Sequence, residues 1–340
     1  MTNVILDGIF GFKNVVGYSG DYQAKMKGGK VVTDEAIRIY VAKKEPLELL
    51  RPSEIIPESL EDIPTDIEEI GRIDAGYSSL EISNRDRHRP LMSGLSVGNI
   101  EITAGTIGRL VEKRSGNMPV FAPSNAHVFV DIPDEYAPTR NEIIQPGKFD
   151  GGNIVDDTIG YWSWHDRIFP MGEESNCSVA NTVMNSLNYI SSKLGRRSRF
   201  TTYVVGDNHQ DFAIAQLTQE ATDTFILDRT YDFSLDNHAF GARLFAGSPQ
   251  RTIACKAQYQ LDSGYYPVDN FPVHEFKVGD RGMKSGRTTF GTEGKVTDTN
   301  GVILVNYGNF SAQFKDVIMF ERMSDGGDSG SDIYYPFPHQ

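Results

Sequence analysis

Near the end of the chain, Gly326-Gly327-Asp328-Ser329-Gly330-Ser331 sets one hydroxyl among glycines, just after the apolar run Val317-Ile318-Met319-Phe320. Glycines on both sides of Ser329 remove side-chain bulk. A carbonyl carbon can then approach Oγ while backbone N–H groups converge on the oxyanion that forms. Gly-Asp-Ser-Gly is also good turn chemistry between strands, so the serine alone decides nothing. A serine hydroxyl becomes a nucleophile when a base takes its proton and a carboxylate orients that base, and the three can lie far apart in sequence. His127 falls in Pro123-Ser124-Asn125-Ala126-His127-Val128, between apolar segments, which predicts an imidazole at a strand end. Asp211 opens the apolar run Asp211-Phe212-Ala213-Ile214-Ala215-Gln216-Leu217, which would bury the surroundings of its carboxylate.

The order His127, Asp211, Ser329 is the chymotrypsin order among the known triad orders. Together with Ile144-Gln145-Pro146-Gly147, Lys284-Ser285-Gly286-Arg287-Thr288-Thr289 and Met323-Ser324-Asp325-Gly326-Gly327, these segments resemble a trypsin-like serine protease of the bacterial and archaeal kind, over roughly residues 90–331. The resemblance implies a mainly β, chymotrypsin-like double β-barrel and a serine endopeptidase working through an acyl-enzyme on a protein or peptide substrate. It assigns general-base work to His127, orientation of the imidazole to Asp211, attack to Ser329, and the oxyanion hole to the N–H groups of Gly327 and Ser329. It implies no cofactor. The residue six before the nucleophile, at the base of the primary pocket in the family, is Met323. Trypsin's basic-residue preference is therefore not expected, although Asp325 is close.

In the family two further strands follow the nucleophile, whereas only residues 330–340 follow Ser329. The second barrel thus reads as incomplete, with an open edge at Phe314–Phe320. Such an edge predicts self-association, or a second polypeptide that completes the barrel. The alternative to catalysis is an inactive or partner-completed protease-like module acting in binding or assembly.

The rest of the chain must position these residues. Its 340 residues suit one large unit with a small additional domain, and 33 glycines with 16 prolines suit a loop-rich β protein. Residues 1–75 read as a small α/β module. Within it Ala36-Ile37-Arg38-Ile39-Tyr40-Val41 has the period-2 alternation of a half-buried strand, and a short charged helix or turn is expected at Lys44–Leu50. Residues 76–92 read as a linker, whose charged run Arg85–Arg89 would be solvated, and 93–340 as the protease domain. One helical insert is expected between His127 and Asp211, from about Ser178 to Leu194. Val179, Val183, Met184, Leu187, Ile190 and Leu194 would form its buried face, and Gly195 would close it. Trp162 and Trp164 read as core.

The net charge of −13 argues against nucleic acid and anionic membrane as partners. The basic run Lys193–Arg199 reads as the end of the helix. The histidines show no metal-ligand spacing, so no metal is expected. Cys177 and Cys255 are the two cysteines, a usage that fits a reducing, cytoplasmic setting, and the N-terminus carries no signal-peptide pattern.

Overall fold

The computed structural model describes residues 8–27, 30–73, 83–113, 119–132, 138–172, 177–193, 207–230, 233–235, 238–268 and 271–337. The chain is mainly β. Its N-terminal strands are β1 (Val15–Ser19), β2 (Gln23–Lys27), β3 (Lys30–Val41), β4 (Ser59–Leu60) and β5 (Ile63–Glu69). The alternation seen in the sequence is realised in β3. Ile37, Ile39 and Val41 join a small core with Ile9, Val15, Tyr18 and Val302, while Tyr40 turns the other way and donates to Asp298 Oδ2 at 2.5 Å. Among the described residues up to 73 there are strands and two 3-10 turns, Ile9–Gly11 and Leu47–Leu49, and no α-helix.

The first sheet follows the order Tyr265–Pro267, Val111–Lys113, Phe121–Ser124, Ala213–Leu217, Thr158–His165, Glu142–Ile144, Ser96–Asn99, Gly105–Thr106. In chain order these strands are β18, β9, β10, β13, β12, β11, β7 and β8. A small third sheet holds β6 (Met92–Ser93), β14 (Ile226–Thr230) and β15 (Phe233–Ser234). Trp162 and Trp164 are half-buried: Trp162 packs on the main core, and Trp164 lies edge-on to Phe212 and tilted against Tyr265.

The second sheet closes on itself. Its strands are β16 (His238–Gly247), β17 (Arg251–Lys256), β19 (Arg281–Gly286), β20 (Phe290–Asn306), β21 (Ser311–Glu321) and β22 (Asp332–Pro336). They pair antiparallel in the ring β16-β17-β21-β20-β19-β22 and back to β16. Ala242, Leu244, Ala254, Val296, Ile318, Phe320 and Ile333 pack together in one of its cores, whereas Val317 and Met319, the alternate residues of β21, join the main core. Burial on both faces explains the unbroken apolar run before the serine.

This closure corrects the expected open edge. β21 is hydrogen-bonded by β17 on one side and β20 on the other, and β22, which follows Ser329, lies between β16 and β19. On the outer side β20 also pairs with β1, so the N-terminal strands continue the same sheet.

Two other expectations differ. The residues of 74–82 lie outside the described ones; of the charged run after them, Asp86 and Arg87 stay exposed while Arg85, His88 and Arg89 are half-buried. Asn84 is fully buried and donates to the carbonyls of Gly94 and Gly286, Arg87 pairs with Asp157 at 2.9 Å, and Arg89 donates to Gln145 Oε1 at 2.6 Å. Helix α3 spans Ser178–Lys193, after two single-turn helices, α1 (Ala126–Phe129) and α2 (Ile154–Asp157). Its apolar face is not buried: Val179, Val183, Leu187 and Ile190 are all exposed. Periodicity shows which residues share a face but not whether anything covers it. Leu194, Gly195 and the rest of the basic run lie outside the described residues. No helix among the described residues is long and apolar enough to cross a membrane.

Candidate active site

The pairing register of two strands brings His127 to Asp211. β10 runs antiparallel to β13 with Ser124 opposite Ala213, so the residues just past the end of β10 face those just before the start of β13. There the chain turns through the single helical turn α1, which carries His127, rather than ending flush with the strand. Asp211 is 1% exposed and His127 9%. Asp211 Oδ2 lies 2.6 Å from His127 Nδ1, and Oδ1 accepts the N–H groups of Ala126 at 2.6 Å and His127 at 3.3 Å. Asn125 Nδ2 donates to the Asp211 carbonyl, a side-chain-to-backbone tie across the same junction. With Nδ1 committed to the carboxylate, Nε2 is the nitrogen left for chemistry.

A fourth side chain, absent from the sequence reading, completes this cluster. Tyr307, just past β20, donates its hydroxyl to Asp211 Oδ2 at 2.9 Å, with its ring edge-on to the His127 imidazole. Burial, reinforced by the Asp211 charge, raises the phenol pKa well above its ordinary value. It therefore stays a donor at any working pH. A tyrosine far away in sequence carries no local signal of such a role.

Ser329 enters from the second sheet. Thr106, in β8, receives the loop with both its groups: its N–H donates to the Ser329 carbonyl at 2.8 Å and its hydroxyl to the Gly327 carbonyl at 2.9 Å. A side chain at the neighbouring Gly105 would meet both Val128 and the Ser329 carbonyl oxygen, so the serine backbone abuts the helical turn that carries His127. Gly327 and Gly330 adopt left-handed conformations, at φ 94° and 98°, which residues with a Cβ rarely take. Among the described residues the N–H groups of Gly327 and Ser329 donate to no acceptor. Ser329 is 5% exposed, and its Oγ donates weakly to the Phe245 carbonyl at 3.4 Å rather than to His127.

A pocket of about 200 Å³ opens beside Ser329, lined in part by Arg72, Ser248, Arg322, Ser324 and Asp325. Arg322 Nη2 pairs with Asp325 Oδ1 at 2.7 Å. Arg72 comes from the stretch after β5, held where Ser248 Oγ donates to the Ile70 carbonyl and the Asn306 N–H donates to the Ile73 carbonyl at 3.1 Å. Met323, which the resemblance assigns to the base of the primary pocket, does not line this one. It is 4% exposed and packs with Val296, Phe320 and Ile333. Its N–H donates to Thr252 Oγ1 and its carbonyl accepts from Thr292 Oγ1, fixing the main chain so that the neighbours Arg322 and Ser324 line the pocket.

Two further histidines pack against aromatic rings: His209 stacks on Tyr259 with ring centroids 4.7 Å apart, and His165 packs beside Trp162. Cys177 is exposed and Cys255 buried, and the two are not joined in a disulfide.

No protein-family model matches the chain, and no curated protein matches it. Among solved structures, a serine protease specific for glutamic acid, described as using a histidine triad in substrate binding, is 14% identical over 72% of this chain and 93% of that one. Its TM-score is 0.35, too loose a likeness to support any statement about this chain.

Proposed function

We propose that this chain is a serine endopeptidase, with His127, Asp211 and Ser329 as its catalytic triad. The observation that carries the reading is the buried 2.6 Å contact of Asp211 with His127 Nδ1, beside a glycine-flanked serine whose loop leaves two backbone N–H groups free. His127 Nε2 takes the Ser329 proton as Oγ attacks the scissile carbonyl. The N–H groups of Gly327 and Ser329 receive the oxyanion, and His127 returns the proton to the leaving amine. Water, activated by the same imidazole, then hydrolyses the acyl-enzyme. Asp211 keeps the proton on Nδ1 and stabilises the imidazolium formed in both steps. The weak Ser329–Phe245 bond costs little to break, and catalytic hydrogen bonds commonly tighten only when substrate binds.

In this reading the first sheet and the closed ring correspond to the two barrels of a chymotrypsin-like fold, with 93–340 as the protease domain, 1–75 as the N-terminal module and 76–92 as the connection. The mixed-sign pocket, with Arg72 and Arg322 against Asp325, supports the absence of a trypsin-type preference for basic residues. The absence of a disulfide between Cys177 and Cys255 is compatible with a cytoplasmic setting.

A second reading, a protease-like binding module without turnover, is favoured by one observation: Ser329 Oγ bonds to the Phe245 carbonyl and not to His127. An active-site-directed fluorophosphonate separates the two, because phosphonylation requires an activated serine. Labelling of Ser329 that disappears in His127→Ala is expected of the peptidase. Absence of labelling in the intact chain favours the binding module.

A further inference from the structure

The stretch Ile70-Gly71-Arg72-Ile73 continues from β5 and reaches the pocket beside Ser329. It is fastened on both sides of Arg72. Ile70 and Ile73 are fully buried in the main core. The Ile70 N–H donates to the Val41 carbonyl at 2.9 Å, and the Ile70 carbonyl accepts Ser248 Oγ. The Ile73 carbonyl accepts the Asn306 N–H at 3.1 Å. Just upstream, Glu68 pairs with Arg251 at the start of β17. Gly71 is left-handed at φ 80°, and a Cβ there would meet Pro249 and Gln250. Arg72, exposed between two buried isoleucines, is therefore presented to the pocket from a backbone with little freedom to move away.

Three charged side chains line that pocket, Arg72, Arg322 and Asp325. Asp325 is engaged by Arg322 at 2.7 Å, so those two charges largely cancel and Arg72 sets the sign. A cationic pocket beside the nucleophile runs against a chain whose net charge is −13. A guanidinium carries five N–H donors in a planar fork that matches a carboxylate, so it can take a substrate carboxylate beside any neighbour it already serves. A basic side chain entering the pocket would be repelled, and an apolar one would strip water from the guanidinium without replacing its hydrogen bonds. Exposed arginines are ordinarily solvated surface. The fastened flanks and the place beside Ser329 set this one apart.

We propose that the N-terminal strands complete the substrate pocket, and that Arg72 makes it select peptides carrying an acidic side chain on the residue before the cleaved bond. The consequence for turnover rests on the peptidase reading, whereas binding of the acidic side chain does not. On this account the N-terminal strands act in substrate choice and not only as a support for β20. Arg72 is a specificity residue: it touches the substrate side chain and takes no part in proton transfer or in holding the oxyanion.

The test uses the full chain, the variants Arg72→Met and Arg72→Glu, and two peptides that differ only in Glu or Gln before the scissile bond. The two residues have nearly the same shape, so a difference between the peptides reports charge. Binding is read by fluorescence anisotropy in the Ser329→Ala background, and kcat/KM with Ser329 intact. The parent is expected to prefer the Glu peptide on the order of tenfold in both readouts. Arg72→Met should cut that preference about fivefold, and Arg72→Glu should reverse it. Fluorophosphonate labelling, which needs no side chain in the pocket, should keep its parent rate in Arg72→Met. Equal handling of the two peptides by the parent, binding of neither, or a Glu preference that survives in Arg72→Glu overturns the proposal. So does slowed labelling in Arg72→Met, since the residue would then support the catalytic groups rather than read the substrate. If the preference in binding depends on Arg72 while the parent chain neither labels nor cleaves, the peptidase reading fails and the pocket assignment stands.

Discussion

Asp211 holds His127 at two points, its Oδ2 2.6 Å from the imidazole Nδ1 and its Oδ1 3.3 Å from the backbone N–H of the same residue. One carboxylate therefore fixes both the ring and the main chain that carries it. With Tyr307 on Oδ2 and Ala126 N–H on Oδ1, each oxygen has two donors. Hydrogen bonds to a charged group are worth roughly 1.5–3 kcal/mol each, so the geometry is expensive to disturb.

The first prediction concerns this unit. Ser329→Ala, His127→Ala and Asp211→Asn each should reduce kcat severely, and the double variant Ser329→Ala with His127→Ala should lose little more than either single one, because the residues act together. Steady-state kinetics on the four variants checks this. Losses that multiply would mean the residues act independently.

Tyr307→Phe removes one donor from Asp211 Oδ2 without altering the ring that packs on His127. Since the carboxylate keeps its other three partners, kcat/KM should fall by about tenfold with the melting temperature nearly unchanged. An unaltered kcat/KM would show that the phenol only fills space.

Asp166 gives a prediction about stability. It lies where Gln210 Nε2 donates to its carboxylate and its own N–H donates to the Phe212 carbonyl. Burial pushes its pKa up from 3.8 to about 6. A carboxyl raised in the folded state binds its proton more tightly folded than unfolded, so its contribution is present below about pH 4 and is lost as pH rises through 6. Asp166→Asn should therefore stabilise the chain at pH 7.5, by at most ~3 kcal/mol, and the advantage should shrink below pH 5. Thermal melts of both proteins across pH 4–8 would show the convergence. A constant gap would rule out titration of Asp166 as its source.

Arg72 reaches the pocket beside Ser329 from the N-terminal strands, and its charge opposes a cationic side chain there. Arg72→Ala should raise kcat/KM for peptides with Arg or Lys before the cleaved bond, relative to acidic ones, on the order of fivefold. A peptide-library profile of parent and variant measures it. Identical profiles would exclude Arg72 from substrate contact.

The sequence made some of this legible and concealed the rest for identifiable reasons. His127 and Asp211 each sit at the boundary of an apolar run, and boundaries are where strands deliver polar side chains, so their meeting in the structure follows from local patterns. The alternation in β3 does separate Ile37, Ile39 and Val41 from Tyr40, but Tyr40 on the other face is buried too, in the main core, so the strand is covered on both sides and not half-buried. Tyr307 is set by long-range pairing, and nothing in Asn306-Tyr307-Gly308 announces a distant aspartate. The order of strands in the ring has the same character: counting the strands after Ser329 suggested an open edge, yet β19 and β20 close it from upstream. Around Met323 the pattern is equally silent about which side chains face outward: Arg322 and Ser324 line the pocket beside Ser329, while Met323 packs in a core of the ring.

The most direct measurement of the central claim is the site and rate of fluorophosphonate labelling, read by mass spectrometry of the intact 340-residue chain and its peptides. The account predicts one adduct, on Ser329, formed at a rate that collapses in His127→Ala and in Asp211→Asn. An adduct on another residue, or none on a chain shown to be folded, would contradict it.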